Sequence, residues 1–466
     1  MPVLRAVCVP SSVIERVWLA VSWAIAMRIV RKTSHIKTLT MLLAGLLLPA
    51  AGLAQQPIIP LQLSISDPGA RSMGFGGAFV ALGDDATAAF ANPAGLVQLV
   101  KPEISIEGRW RSYSEPYTQA GRIEGQPSGI GIDTLDGLKS AKSHEDITGL
   151  SFLSFAYPLE NWSLAFFRHE YARHEFAAHT QGLFGTGSAC CQPRYVDQRA
   201  TSELDFLSYG FSAAYRITDE FNVGLGLVYH DASLVGNVAQ YLPDDDTPQS
   251  RYLVNSYLPE RLILSQRSAG ADTGVTFTGG FLWRPSERWS VGGVYRQGLE
   301  MRYRVEARAG EAVDFGVPPG EVILRGMADP IDLPDIYGAG IAYRHPDGRF
   351  TVSFQWDRIR YSSIPRSIDL DDQTIDDSNE WHLGAEYVFL GSTQVVAVRL
   401  GTWLEPDHQM RATTAEPFVR ALLPPRNDEW HYSAGVGFAM QRFQIDFAVD
   451  VGDRLSTVSL SAIYNF

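Results

Sequence analysis

Cysteine is scarce in this sequence. The 466 residues contain three, Cys8, Cys190 and Cys191. The last two are adjacent, so they cannot staple distant parts of the chain; they read either as a strained vicinal disulfide or as two loop thiols without a role. Long apolar runs are lacking too. After residue 55 no stretch reaches the roughly 18 apolar residues of a membrane-crossing helix, so the expected mature chain has no transmembrane helix. Basic charge is short: 39 Lys and Arg stand against 52 Asp and Glu, a formal charge of −13. Residues 1–54 carry six Lys/Arg and one Glu, so their removal would leave about −18. Phosphate contacts need a basic surface, so a nucleic-acid partner is not expected. Repeats and low-complexity tracts are absent.

Catalytic motifs are missing as well. Gly74-Phe75-Gly76 has Phe79 where a dinucleotide fingerprint needs its third glycine. There is no phosphate-binding Walker loop and no Gly-x-Ser-x-Gly elbow. His169, His174 and His179 are five apart, a spacing that alternates faces on a regular strand and misses the i, i+4 zinc pair of a helix. The acidic runs Asp244–Asp246 and Asp369–Asp372, with Asp376 and Asp377, lack the Asp-x-Asp-x-Asp-Gly of a calcium loop; they read as solvated loops, with a Ca²⁺ bridge to lipopolysaccharide as the other reading. The expectation is a non-enzyme with no metal and no cofactor.

What the chain does have is rhythm. In the last stretch Val458, Leu460, Ala462, Tyr464 and Phe466 share one face, while Thr457, Ser459, Ser461 and Asn465 share the other. Period-2 alternation means a strand with one apolar and one polar side. Fourteen such strands are expected, near 103–113, 149–158, 162–175, 200–216, 221–233, 268–284, 288–304, 335–344, 349–360, 380–389, 394–404, 429–440, 442–451 and 456–466. A tilted strand needs about 9–11 residues to cross a bilayer, and these suffice. Connections alternate between short turns, such as Leu159-Glu160-Asn161 and Thr218-Asp219-Glu220, and long loops, such as 234–267 and 405–428. That asymmetry, with an apolar face turned outward, is the pattern of an outer-membrane β-barrel. Aromatics flank the short turns (Tyr157 and Trp162, Tyr215 and Phe221, Trp283 and Trp289, Tyr343 and Phe350, Phe438 and Phe443), as rings at the lipid headgroup level would. A mean hydropathy of only −0.06 is compatible, because only alternate strand residues meet lipid.

The predicted fold class is all-β, a fourteen-stranded antiparallel transmembrane barrel with a small N-terminal helical plug. Three regions are expected. Residues 1–54 resemble a secretory signal: Arg28, Arg31, Lys32 and Lys37 precede an apolar Leu39–Leu48, and Gly52-Leu53-Ala54 offers a cut before Gln55, with Met27 a possible start. Residues 55–102 form the plug or hatch. Residues 103–466 form the barrel, in the outer membrane of a Gram-negative-type bacterium. Fourteen of the 27 residues from Gly69 to Gly95 are Gly or Ala, which suits tight packing of short helices and turns. Asp84 or Asp85 would cap a helix running to Phe90, and Pro93 would stop it.

The stretch Gly69-Ala70-Arg71-Ser72-Met73-Gly74-Phe75-Gly76-Gly77, continuing through Asp84-Asp85 to Asn92-Pro93-Ala94-Gly95-Leu96, resembles the N-terminal segment of the FadL/TodX outer-membrane family, including its PorV-like branch. The resemblance implies a channel for passive uptake of hydrophobic compounds, such as long-chain fatty acids or hydrocarbons, gated by the plug. It also implies a sideways exit at a kinked third strand, with Asn92, Pro93 and Ala94 near the kink. The PorV-like branch would imply instead a partner-binding barrel that assists protein secretion or surface attachment. Gly76, Gly77, Asp84 and Asp85 complete the candidate hatch residues. One feature departs from the pattern: Trp162–Glu175 contains no Gly or Pro, the usual residues at a strand bend.

Several lumen positions are apolar where an open water channel would be polar: Phe152, Phe167, Phe206, Val228, Leu282 and Trp403. They read as a ligand path or as packing against the plug. Arg296 and Arg399 point inward, either toward a cargo carboxylate or paired with Glu386, Asp446 or Asp450. The expected partners are hydrophobic small molecules, outer-membrane lipid and lipopolysaccharide, and the barrel-assembly machinery through the terminal Phe466, which resembles the signal carried by outer-membrane proteins generally.

Overall fold

The computed structural model describes residues 65, 67–185, 194–243, 252, 254–327, 330–364, 373–391 and 394–466. Residues 1–54, Cys190, Cys191, Asp244–Asp246 and Asp369–Asp372 lie outside the described residues. All described residues belong to one unit, Ile59–Phe466.

The chain closes into a fourteen-stranded antiparallel barrel. Its strands are β1 (Glu103–Arg122), β2 (Leu138–Pro158), β3 (Trp162–Thr180), β4 (Asp197–Arg216), β5 (Phe221–Tyr241), β6 (Leu262–Ser286), β7 (Trp289–Arg296) and β8 (Ile336–Arg344). They continue with β9 (Phe350–Ile359), β10 (Ser378–Leu390), β11 (Val395–Glu405), β12 (Glu429–Met440), β13 (Phe443–Val451) and β14 (Leu455–Asn465). β14 pairs back onto β1, from Glu103 opposite Asn465 to Tyr113 opposite Leu455. Closure pairs β1 with β14, so the first and last strands leave no open edge between them. None of the described helices is long and apolar enough to cross a membrane.

The two faces separate as the alternation demands. On β13, Phe443, Ile445, Phe447 and Val451 face outward and are exposed, while Asp446, Ala448 and Asp450 are buried inside. Outward rings cluster at the short-turn end: Tyr157, Trp162, Tyr215, Trp283, Trp289, Phe350, Phe438 and Phe443 are all exposed there. The interior holds both hydrogen-bonded polar side chains and buried apolar clusters.

Two features depart from the sequence expectation. β1, β2, β5 and β6 run 20, 21, 21 and 25 residues, longer than expected, because β1–β2 and β5–β6 go on pairing as hairpins beyond the expected ends. The expected continuous strand 288–304 is broken. β7 ends at Arg296 and resumes as Arg304–Ala309, paired with Val322–Met327. Between them Glu300–Met301 pairs with Ile331–Asp332 in a separate two-stranded ribbon. Leu299, Met301, Ile331 and Leu333 leave the wall and are buried, since turning inward hides four apolar side chains among others.

Candidate functional site

The site is the inner face of the barrel together with residues 67–102. Short elements form there: α1 (Ala70–Gly74), α2 (Ala88–Ala91) and a 3₁₀ turn, Pro93–Gln98. Neither aspartate caps α2. Asp85 Oδ1 accepts from Thr87 N at 2.9 Å and from the Thr87 hydroxyl, and Asp84 pairs with Arg71 and, at 3.3 Å, with Arg344. Pro93 opens the 3₁₀ turn rather than merely ending a helix, its missing N–H costing nothing at a first position. Burial pushes the Asp84 carboxyl up, but Arg71 and then Arg344 outweigh it and hold it below its usual 3.8. Burial raises Asp85, with Arg71 opposing.

The backbone of this segment is held by inward side chains. Gln355 Oε1 on β9 accepts from Phe79 N and Val80 N, both at 2.8 Å. Ser212 Oγ donates to Ala89 O at 2.7 Å and Ser290 Oγ to Ala81 O at 2.7 Å. Glu107 accepts from Gly69 N at 2.9 Å. Asn92 Nδ2 donates to Val80 O at 2.9 Å and to Phe281 O on β6 at 3.0 Å, while its Oδ1 accepts from Ala94 N at 3.2 Å. Glycines on the wall give the segment room. A Cβ at Gly224 would lie 2.3 Å from Ala94 N, and one at Gly401 would lie 2.2 Å from Gly76 N. Gly77 lies against the His382 ring, where a Cβ would sit 3.0 Å from Nδ1.

The lumen arginines are paired. Arg399 bonds Glu386 at 2.7 Å and Asp446 at 2.6 Å, two of the partners anticipated from sequence. Arg296 pairs instead with Asp67 at 2.8 Å and donates to Ala91 O at 2.7 Å. Arg111 bonds Glu170 at 2.5 Å.

Backbone pairing between β2 and β3 is partial. These strands pair only from Pro158 opposite Ser163 up to Phe152 opposite His169. Above that level β2 pairs with β1 alone and β3 with β4 alone. Ser151 is an extra residue on β2 between the pairs Glu107–Phe152 and Gly108–Leu150. Tyr171 is an extra residue on β3 between Glu170–Leu207 and Ala172–Phe206. A bulge bends its strand and ends pairing, so the third strand bends despite having no Gly or Pro. The bulge also corrects the histidine reading: it shifts the phase of β3, so His169 and His174 are both buried, five apart notwithstanding. His174 lies 2.6 Å from Glu115, and the exposed His179 bonds Gln119 at 2.8 Å.

Phe90 stands behind this seam, its ring centroid 4.3 Å from His169, 5.9 Å from Phe167 and 6.1 Å from Tyr171. The Asn92-Pro93-Ala94 turn sits further round, against β5 and β6. Phe152, Phe167 and Val228 pack with Ala86, Ala89, Phe90 and Leu96 of the segment. Phe206 belongs to a second apolar cluster that sequence reasoning missed. It runs from Ala172 and Leu204 through Ala232 and Leu234 to Leu299, Met301, Ile331, Leu333, Ile336 and Ile359, with Tyr171 at its edge. Leu282 is buried elsewhere on β6, and Trp403 stacks between His382 and His431, at 5.4 and 4.0 Å.

A family model for outer membrane protein transport proteins (OMPP1/FadL/TodX) matches residues 195–458. No curated protein sequence matches significantly. Among solved structures, a Pseudomonas aeruginosa FadL homologue superposes with a TM-score of 0.57 at 15% identity, covering 88% of this chain and 100% of that one. The CymD monoaromatic hydrocarbon channel gives 0.54 at 18%, covering 86% and 98%. The P. putida toluene transporter TodX gives 0.53 at 13%, covering 86% and 99%. At such identities these likenesses speak for the fold, while the family match covers more than half of the chain. This chain therefore belongs to the OMPP1/FadL/TodX family of outer-membrane transport proteins, a family of channels in the Gram-negative outer membrane.

Proposed function

We infer that the chain passes small, uncharged hydrophobic molecules across the outer membrane, with residues 67–102 as the gate. The observation that carries this reading is the apolar cluster inside the barrel, which reaches from the broken stretch of β7 and β8 to the bulge at Tyr171, beside the β2–β3 seam. Its side chains are packed against one another in the resting state, and an apolar solute that enters among them gains roughly 25 cal/mol for each Å² it hides from water. The seam gives the solute a way sideways into lipid, so that it never has to enter the periplasmic water as a free molecule. Phe90 blocks that way in the described state.

The pairing of Arg111, Arg296 and Arg399 with carboxylates favours a neutral cargo over a fatty acid. Binding a cargo carboxylate would mean breaking a buried ion pair and leaving one acid without its partner, which is costly. The hydrocarbons named for CymD and TodX are the matching class. The test is uptake of labelled toluene and labelled oleate into cells lacking transporters of their own, at matched levels of inserted barrel. Toluene uptake without oleate uptake is expected. Failure of both from a correctly inserted barrel would sink this reading in favour of a PorV-like partner-binding role.

A further inference from the structure

The inner faces of β9 and β10 bring together Asp357, Glu380 and His382, all buried. The imidazole is oriented by the N-terminal segment. His382 Nδ1 lies 2.7 Å from the carbonyl oxygen of Gly76. A carbonyl has no hydrogen to give, so Nδ1 carries the proton and donates it. Nε2 makes no hydrogen bond and faces Asp357 Oδ2 at 3.3 Å and Glu380 Oε2 at 3.6 Å. A lone pair turned toward two buried carboxylates is repelled by both, so the site takes up positive charge, either as a proton shared among the three groups or as a metal ion between them.

The spacing favours the metal ion. A charge-assisted N–H···O bond spans about 2.7–2.9 Å, and both separations are longer. Zinc-type ions bind imidazole nitrogen and carboxylate oxygen at about 2.0–2.2 Å in a tetrahedron, which sets neighbouring donor atoms about 3.3–3.6 Å apart. The observed separations match that edge, and one donor atom from each of the three residues falls within 4.8 Å of the others. The outer supports that metal ligands normally have are present: Gly76 O takes the Nδ1 hydrogen, and Gln355 Nε2 donates to Asp357 Oδ2 at 2.7 Å, fixing both ligands. The three residues line a pocket with Gly76, Gly77 and Asp67, leaving room for water as a fourth ligand.

A neighbouring set makes the contrast. His431 lies near Glu405 and Glu429, but its Nδ1 makes a 2.8 Å contact with Asp450. Arg454 is bonded to Glu429 and lies 3.8 Å from Glu405. There the guanidinium already supplies the positive charge.

We propose that Asp357, Glu380 and His382 bind a divalent transition-metal ion of the Zn²⁺ or Co²⁺ type. The ion ties β9 to β10 and, through the His382–Gly76 hydrogen bond, braces the N-terminal segment. This assignment is independent of what the channel carries.

The experiment uses the full protein, purified in detergent, stripped with EDTA and dialysed free of it. Co²⁺ is added and the visible d–d absorption followed, with Zn²⁺ titrated in parallel by calorimetry. One ion per chain is expected. Asp357→Asn with Glu380→Gln keeps size and shape, and should weaken binding by at least about 100-fold. Glu429→Gln should leave it unchanged. His382→Gln serves as the second variant, should the double variant fail to give the heat-modifiable gel mobility of a folded barrel. Binding of equal affinity and stoichiometry in these variants would overturn the proposal. So would absence of Co²⁺ and Zn²⁺ binding to the folded wild-type protein, which would leave a proton as the cation.

Discussion

The ring of Phe90 lies 4.3 Å, centroid to centroid, from that of His169, at the level where β2 and β3 stop pairing. One residue of the internal segment thus stands at the point where the β2–β3 pairing ends.

Phe90→Ala should open the passage. The ring is buried among Phe167, Tyr171 and His169, with Arg296 4.6 Å above its face. Its loss costs about 3–5 kcal/mol if the site cannot collapse, and that cost falls on the segment rather than on the hydrogen-bonded wall. Uptake of labelled toluene should rise several-fold at unchanged barrel level. Unchanged uptake would mean that Phe90 is not the obstruction.

Gly401→Ala should expel the segment and spare the barrel. The added methyl carbon would sit 2.2 Å from Gly76 N and 2.5 Å from the Phe75 carbonyl carbon. Both are backbone, so the overlap is relieved only if the segment moves. Protease should then cleave within residues 67–102 while heat-modifiable mobility persists. Gly326→Ala, where a Cβ meets nothing within 4 Å, is the control and should change neither.

Acid should loosen the segment through Asp84. Its carboxyl is held below the usual 3.8 by Arg71, against the burial that would raise it. A depressed value in the folded state means that the stabilisation is complete above pH 3.8 and is lost as pH falls through the depressed value. Asp85 acts in the opposite sense. Its value is raised by burial, so it takes up its proton first, above pH 3.8, with a gain in stability. Protease sensitivity of the segment should therefore increase on strong acidification in the wild type. In Asp84→Asn that low-pH increase should disappear, leaving a segment already looser at pH 7.

Much of this architecture is legible in the residues. Alternation such as that of Val458 to Phe466 gives the strands, and the short turns with their flanking rings give the order and the direction of the faces. Arg399 faces Glu386 directly on the neighbouring strand and reaches Asp446 two strands away across the glycines Gly435 and Gly437 of β12. The bulge at Tyr171 does not follow. Around it both phases of β3 carry polar residues, His169 and Glu170, then Arg173 and His174, so a slip by one leaves no mark in the pattern. The break after Arg296 is equally hidden. Leu299 and Met301 alternate like strand residues, and only the distant apolar side chains of β4 and β5 draw them inward. The cluster Asp357, Glu380 and His382 arises from register between β9 and β10, where Asp357 stands opposite Glu380, and a search for ligand spacing along the chain does not meet it.

The central claim is that the N-terminal segment gates the passage, and a reversible tether tests it most directly. A Cβ at Gly340 on β8 would lie 3.4 Å from Ala81 Cβ, close to the roughly 3.5–4.5 Å of a disulfide. The segment beyond Ala81 is linked to this point through Asn92 to Val80 O and through Gln98 to Leu82 O at 2.7 Å. Ala81→Cys with Gly340→Cys, in a background carrying Cys190→Ser and Cys191→Ser, should therefore block toluene uptake when oxidised and restore it on reduction. Equal uptake by the oxidised and reduced forms, with the disulfide verified, would contradict the account.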